Sequence, residues 1–178
     1  YSHLLVWTPP ALGGKADDAR DLTPGQRTDS PTHPFGGLEE VDISPDGKTV
    51  AFLARVGGRE VAWTTNTDVF LVPADGRGKP VALTAANRAY DLNPTFAPDG
   101  KSLAVLAMAR PGYEADRTRV VVYDLASKRP RVVTEAWDRS PASITWSADG
   151  KTIFTSADHL GHHALFAVDV AAGKVTPL

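Results

Sequence analysis

The residues best suited to chemistry are concentrated in one short run. Arg110-Pro111-Gly112-Tyr113-Glu114-Ala115-Asp116-Arg117 brings two acids, two arginines and a tyrosine together. Such a loop could hold a charged ligand group. Glu114 suits an amine and Arg117 a carboxylate or carbonyl, because charge-assisted hydrogen bonds to these groups are short and strong. The same side chains could instead brace the loop internally, with Arg117 tied to Asp116 or Glu114, since structural ion pairs use the residue types that sites use. Glu114, Tyr113 and Arg117 are the candidate binding residues.

A second polar run, Trp63-Thr64-Thr65-Asn66-Thr67-Asp68, carries hydroxyls and an amide that could line a pocket, although such residues more often satisfy the backbone of their own loop. Asp158, His159, His162 and His163 invite a metal, but their spacing is not that of a zinc-binding helix and Gly161 argues for a turn, so no metal is expected. His162 and His163 are expected to open a strand on opposite faces. A hydrolase needs a nucleophile, a base and an orienting acid. No Gly-x-Ser-x-Gly elbow occurs, and Ser156, Asp158 and His159 are too close in one short segment to take those roles. No catalytic residue is therefore assigned, and no cofactor is expected. The Asp-Gly motifs lack the carboxylate series of a calcium loop.

Composition narrows the classes further. The chain has 178 residues, of which 42% are hydrophobic and 22% charged, as in an ordinary globular domain. Nineteen basic against 21 acidic side chains give a formal charge of −2, so no global field favours nucleic acid. The densest basic cluster, Lys128-Arg129-Pro130-Arg131, straddles a proline and reads as a solvated turn. No apolar run approaches the ~20 residues of a membrane helix, so no membrane span is expected. Cysteine is absent, which removes disulfides, thiolate chemistry and cysteine-ligated zinc. The first residue is Tyr1 and no signal-peptide pattern follows, so the chain is expected to be processed or to start partway through a longer protein.

The elements that must position these residues come from a repeat. Ser44-Pro45-Asp46-Gly47-Lys48 returns as Ala97-Pro98-Asp99-Gly100-Lys101, 53 positions on, and as Ser147-Ala148-Asp149-Gly150-Lys151 after a further 50. Pro presets φ for a turn, Asp bonds the backbone ahead of it and Gly accepts a positive φ, so each copy predicts a hairpin. Around each copy the apolar pattern predicts four strands. They are Glu40–Ile43, Thr49–Ala54, Asp68–Val72 and Pro80–Thr84; then Leu92–Phe96, Ser102–Ala107, Arg119–Asp124 and Arg131–Thr134; then Ser143–Trp146, Thr152–Thr155, Ala164–Asp169 and Lys174–Thr176. Runs such as Val120-Val121-Val122-Tyr123 are apolar without alternation, which suggests strands covered on both faces.

Four-stranded units of this length predict an all-β chain, a β-propeller segment of about three and a half blades. Residues 1–37 would hold the last two strands of a preceding blade, near His3–Trp7 and Ala19–Thr23, separated by Pro9, Pro10, Gly13 and Gly14, with a connector from Pro24 to Gly37. Residues 38–85, 86–135 and 136–178 would each form one blade. This is too few blades to close a ring, so all of it is expected to be one incomplete propeller domain. The fold also assigns faces. The Asp-Gly turns fall on one. The long connections fall on the other: Ala54–Thr67, Met108–Thr118 and Ser156–His163 within blades, and Pro24–Leu38, Ala85–Asp91 and Glu135–Ala142 between them. Function is expected on this second face, since loops held by a rigid scaffold carry it.

Pro34-Phe35-Gly36-Gly37-Leu38-Glu39-Glu40, Thr65-Asn66-Thr67-Asp68 and the Arg110–Arg117 run together resemble the dipeptidyl peptidase 5 branch of the prolyl oligopeptidase family. The Ser-Pro-Asp-Gly-Lys copies resemble the broader TolB-type propeller repeat. The family resemblance implies part of an N-terminal propeller that partners an α/β-hydrolase domain of the same protein, which carries a Ser-Asp-His triad absent from this chain. It implies a serine peptidase releasing dipeptides from the N-terminus of peptide substrates, in the periplasm or outside the cell. It makes Glu114 a candidate to hold the substrate's free amino group, with Glu39 and Glu40 as alternatives. The TolB resemblance implies instead a propeller that docks a protein partner without chemistry.

Overall fold

The structure is a computed structural model that describes residues 1–7, 9, 18–34 and 36–178. Regular structure among these residues is almost entirely antiparallel strand. A two-stranded sheet pairs β1 (Leu5–Val6) with β2 (Arg20–Asp21). Three four-stranded meanders follow. The first consists of β3 (Val41–Ile43), β4 (Thr49–Ala54), β5 (Asp68–Pro73) and β6 (Val81–Ala82). The second consists of β7 (Asp91–Phe96), β8 (Ser102–Ala107), β9 (Arg119–Asp124) and β10 (Arg129–Val132). The third consists of β11 (Thr145–Trp146), β12 (Thr152–His159), β13 (His162–Asp169) and β14 (Val175–Pro177). The helical content among the described residues is two short 3₁₀ turns, Leu38–Glu40 and Arg59–Ala62. The breakers Pro10, Gly13 and Gly14, and Phe35 of the family-like string, lie outside the described residues.

Each sheet packs face to face on its neighbours, and this explains the runs without alternation. On β4, Val50, Phe52 and Ala54 face the two-stranded sheet, joining Leu22 and Val72 in one cluster. The intervening Ala51 and Leu53 face the second sheet, where they meet Leu103 and Val105. β8 repeats the arrangement one sheet on, its Ala104 and Leu106 packing with Ile153 and Val168 of the third sheet. Phe52, Leu53, Leu103, Leu106 and Ile153 are all fully buried, each contributing about 1.5–3 kcal/mol by removal from water. In the third sheet the burial of β12 alternates, with Ile153 buried and Phe154 39% exposed.

The Asp-Gly turns share a construction that is complete in the first and third copies, while the second, with Ala97 in place of serine, keeps only the Lys101 N–H to Asp99 Oδ1 bond at 2.9 Å. Ser44 Oγ donates to Asp46 Oδ1 at 2.7 Å, Asp46 Oδ1 accepts the Lys48 N–H at 3.0 Å, and Ser44 Oγ accepts the Thr49 N–H at 2.9 Å. Ser147, Asp149, Lys151 and Thr152 reproduce all three bonds. Gly47, Gly100 and Gly150 sit at φ of 70°, 68° and 68°, as the left-handed position after a type I turn requires. The turns lie side by side on one face. A Cβ on Gly100 would stand 3.6 Å from Pro45 Cδ, and one on Gly150 3.9 Å from Pro98 Cδ.

A second repeated device, at Leu22-Thr23, Leu83-Thr84 and Val133-Thr134, is absent from the sequence-based expectations. Each threonine is buried, and its hydroxyl accepts a backbone N–H from the neighbouring strand: Leu4 at 3.2 Å, Val69 at 2.9 Å and Val120 at 3.0 Å. The hydroxyl replaces the next carbonyl of the ladder where the outermost strand turns away, so the chain can leave the sheet without orphaning a buried donor.

The structure corrects several boundaries. The segment Ser156–His163, expected as a loop, is a paired hairpin, with His159 opposite His162. Leu160 and Gly161 both have positive φ, 49° and 83°, which makes the two-residue turn whose twist suits a hairpin. β10 begins at Arg129 rather than Arg131, so three of the four residues in the basic cluster are strand and not turn. Pro130 is tolerated because β10 is the outermost strand of its sheet. Glu40 belongs to a 3₁₀ turn instead of β3.

Thr134→Val in the full-length protein removes the acceptor of a buried N–H at nearly constant volume. A loss of about 1–3 kcal/mol in denaturant unfolding is expected. Gly100→Ala, which meets only an ordinary contact but requires a left-handed alanine, should lose about 1 kcal/mol.

Candidate functional site

On the face opposite the Asp-Gly turns, connections from the first two four-stranded sheets surround a cleft of about 850 Å³. One wall is the connection entering β3. Glu40, only 5% exposed, accepts the Thr32 N–H and hydroxyl, each at 2.6 Å, and so pins this connection to the 3₁₀ turn. Gly36 is obligatory here, since a Cβ would strike the Thr32 carbonyl and the Glu40 carboxylate. Another wall is the β4–β5 connection. There the 3₁₀ turn of Arg59–Ala62 fixes Trp63 through its N–H to the Glu60 carbonyl at 3.0 Å, leaving the residue 73% exposed at the rim.

The β8–β9 loop completes the cleft with Gly112, Tyr113, Glu114 and Ala115. Asp116 organises it by accepting the N–H groups of Ala109 and Arg110, both at 2.8 Å. Burial pushes the Asp116 carboxyl up, but the N–H groups of Ala109, Arg110 and Arg117, with the Arg110 guanidinium, bring it below the ordinary carboxylate value. Arg110 lies 3.4 Å from Asp116 Oδ1 and 4.0 Å from the centroid of the Tyr113 ring. The Gly112 N–H donates to Thr65 Oγ1 at 3.0 Å, tying this loop to the Trp63 loop.

The candidate residues therefore divide. Glu114 and Tyr113 line the cleft and are exposed. Arg117 does not line it. Its guanidinium donates to the carbonyls of Thr134 and Glu135, each at 3.1 Å, and to that of Trp137, so it braces the connection toward the third sheet. The ion pair expected of Arg117 within the loop is made by Arg110. Of the two alternative acids, Glu40 is engaged by Thr32, whereas Glu39 lines the cleft and is exposed. The hydroxyls of the Trp63 loop serve both purposes considered: Thr64 bonds its own backbone at the Asn66 N–H, while Thr65 bonds the opposite wall.

Among the lining residues not singled out from sequence are Arg55, Tyr90, Leu92 and Met108. Arg55 and Met108 hold equivalent places, each the first residue after the second strand of its sheet, and that position was a readable signal. The Nε of Arg55 is buried without a hydrogen-bond partner.

The cleft can bind but carries no hydrolytic constellation among the described residues. Ser2 Oγ and His33 Nε2 are 3.0 Å apart at its edge, but no carboxylate meets the other ring nitrogen. Ser156, Asp158 and His159 form no triad either. Asp158 pairs with His163 Nδ1 at 3.0 Å, and His159 Nδ1 accepts from Arg139 at 2.9 Å. Among the described residues no group of three or more His, Asp or Glu is placed to hold a metal ion, and no helix is long and apolar enough to cross a membrane.

No protein-family model matches the chain. Among curated proteins it is 38% identical over 186 residues to a probable dipeptidyl-peptidase 5 of Emericella nidulans, covering 99% of this chain and 26% of the relative. It is 35% identical over 160 residues to dipeptidyl-peptidase 5 of Trichophyton schoenleinii, covering 85% of this chain and 22% of the relative. The chain thus spans about a quarter of the length of these curated relatives. Among solved structures, puromycin hydrolase superposes with a TM-score of 0.71 at 22% identity, over 99% of this chain and 27% of that one. A putative TolB from Agrobacterium tumefaciens gives 0.69 at 21% identity, over 97% and 54%. The two structural likenesses establish the fold and the curated relatives the sequence kinship: the chain is a dipeptidyl-peptidase 5-like β-propeller segment.

Proposed function

We propose that this segment is the substrate-facing part of a serine peptidase that removes dipeptides from the N-terminus of oligopeptides. Catalysis would belong to an α/β-hydrolase domain of the same protein, and the propeller would gate and orient the peptide. A periplasmic or secreted location is part of the same proposal. The observation that carries this reading is a convergence. The three sequence runs that resemble dipeptidyl peptidases, which are 25 and more residues apart, each contribute to one cleft, through Pro34, Gly36, Glu39 and Glu40, through Thr65, and through Gly112–Ala115.

Glu114 is the proposed anchor for the peptide's ammonium group. Its carboxylate lines the cleft, is exposed and has no ion-pair partner among the described residues, while Asp116, two positions on, is committed to its loop. Tyr113, held beside Arg110, gives the same wall an aromatic surface, and Trp63 gives the neighbouring wall another. Arg117 supports the site indirectly, through the connection it braces. A non-catalytic, TolB-type docking role shares the fold, but identities of 35–38% to dipeptidyl-peptidases against 21% to the TolB structure favour the peptidase.

In the full-length protein, Glu114→Gln should lower kcat/KM on free dipeptidyl substrates by roughly 10- to 150-fold, the equivalent of a charge-assisted hydrogen bond of about 1.5–3 kcal/mol. Amino-blocked substrates should lose almost nothing, and thermal unfolding should stay unchanged. An equal fall on both substrate types would make Glu114 a loop-bracing residue. No fall on either would move the anchor to Glu39.

A further inference from the structure

Beneath the cleft lies a pair of carboxylates that the proposed binding role does not use. Asp91 opens β7 and is fully buried, and Asp68 opens β5 and is 9% exposed. Asp91 Oδ1 accepts from Asn87 Nδ2 at 2.8 Å, but Asp91 Oδ2 is buried with no partner. The Thr84 hydroxyl, which accepts the Val69 N–H, donates to Asp68 Oδ1 at 3.5 Å and lies near enough to Asp91 to oppose the rise of its carboxyl. A buried charge with an unpartnered oxygen beside a second carboxylate is costly in its ionised form.

The pair is wired to the cleft. Asn87 Nδ2, which holds Asp91, also donates to the Met108 carbonyl at 3.1 Å. Thr67 Oγ1 donates to the Asp91 carbonyl at 2.6 Å and accepts its N–H at 3.2 Å, fixing the end of the Trp63–Thr67 loop. Tyr90 and Leu92 flank Asp91, and together with Met108 they line the cleft. We propose that the Asp68–Asp91 pair takes up one proton when the protein folds, and that this proton is a positioning device that keeps the cleft's base and its Trp63 loop in place. Asp91 and Asp68 are positioning residues here, acting through Thr67, Asn87 and Met108.

The surrounding groups support proton uptake. Burial, with the neighbouring Asp68, pushes the Asp91 carboxyl up to about 7, against the bond from Asn87 and the nearby Thr84 hydroxyl. Burial also raises Asp68, with Asn66, Thr84 and the Arg88 guanidinium opposing. On β9, Tyr123 is itself pushed up to about 12, by burial first and then by the charges of Asp91 and Asp68. β4 and β8 present no ionisable side chain. On β3, Asp42 bonds the Phe96 N–H at the far end of β7, and Glu40 is held by Thr32. Arg119 of β9, which stands opposite Ala107, is paired with Glu135 at 2.9 Å, and Arg88 is the cation that opposes the rise at Asp68. Because the folded value lies above the ordinary 3.8, the stability that comes with this proton is present in acid and is lost as pH rises toward and through about 7.

The test compares the full-length wild type with Asp91→Asn, which keeps the shape of the neutral acid. Melting temperatures are measured from about pH 5 to about pH 8.5, a window that spans the Asp91 value of about 7. The wild type should fall behind Asp91→Asn as pH rises, the gap widening by on the order of 4 °C or more and levelling above about pH 8. KM for a free dipeptidyl substrate should rise several-fold more across this range in the wild type than in Asp91→Asn. Parallel melting curves for the wild type and folded Asp91→Asn would overturn the proposal. If Asp91→Asn fails to fold, the same comparison is made with Asp91→Ser, which also removes the acid, and parallel curves there overturn it equally. A widening melting gap with no difference in KM would remove the positioning role. The KM arm rests on the peptidase reading, whereas the melting arm does not. A protein without dipeptidyl activity but with the widening gap would therefore refute that reading and leave the proton uptake standing.

Discussion

Every four-stranded sheet in this chain depends on a neighbour to cover its flat side. A strand that meets water on one face can alternate apolar and polar residues. β4 and β8 cannot, because consecutive residues enter different interfaces. Phe52 belongs to the contact with the sheet before and Leu53 to the contact with the sheet after. Position in the stack is thereby encoded residue by residue, and a one-residue slip of β4 would exchange the two sets.

This constraint leaves the ends of the sheets as the place where the chain can vary. At one end the Asp-Gly turns lie side by side, each with its glycine at a positive φ and with the proline of one beside the glycine of the next. At the other end nothing forces similarity, and the connections differ in length, polarity and course. Even there the loops are anchored at their bases rather than loose. Thr67 and Thr118 donate to carbonyls of the following sheet's approach, Asp91 O at 2.6 Å and Pro141 O at 2.9 Å. A variable rim thus stands on a fixed footing, which is what a selective cleft needs.

The fold was legible because its signals are local. Pro-Asp-Gly fixes a turn by backbone preference, and Val-Val-Val-Tyr declares a strand covered on both sides. What escaped was set by partners distant in sequence. Thr84 and Thr134 look like ordinary loop-start residues until a strand 14 or 15 residues earlier supplies the N–H they accept. Asp91 reads as a polar residue between apolar ones, and only the packing of β4 and β5 against β7 makes it a buried acid. At the site, the choice of loop was readable and the division of labour within it was not. Arg117 and Arg110 are equally good partners for Asp116 on paper. The carbonyls of Thr134, Glu135 and Trp137, reachable only once the third sheet is in place, take Arg117 away.

The long β12–β13 hairpin gives this face of the molecule a stiff side. Its strands stay paired out to His159 and His162, so the backbone donors and acceptors of the ladder already answer one another. A visiting peptide would find few main-chain groups free there and little give. The β4–β5 and β8–β9 connections, by contrast, are joined to each other by the bond from Gly112 to Thr65. A change of course in one of these connections is therefore passed to the other across that seam.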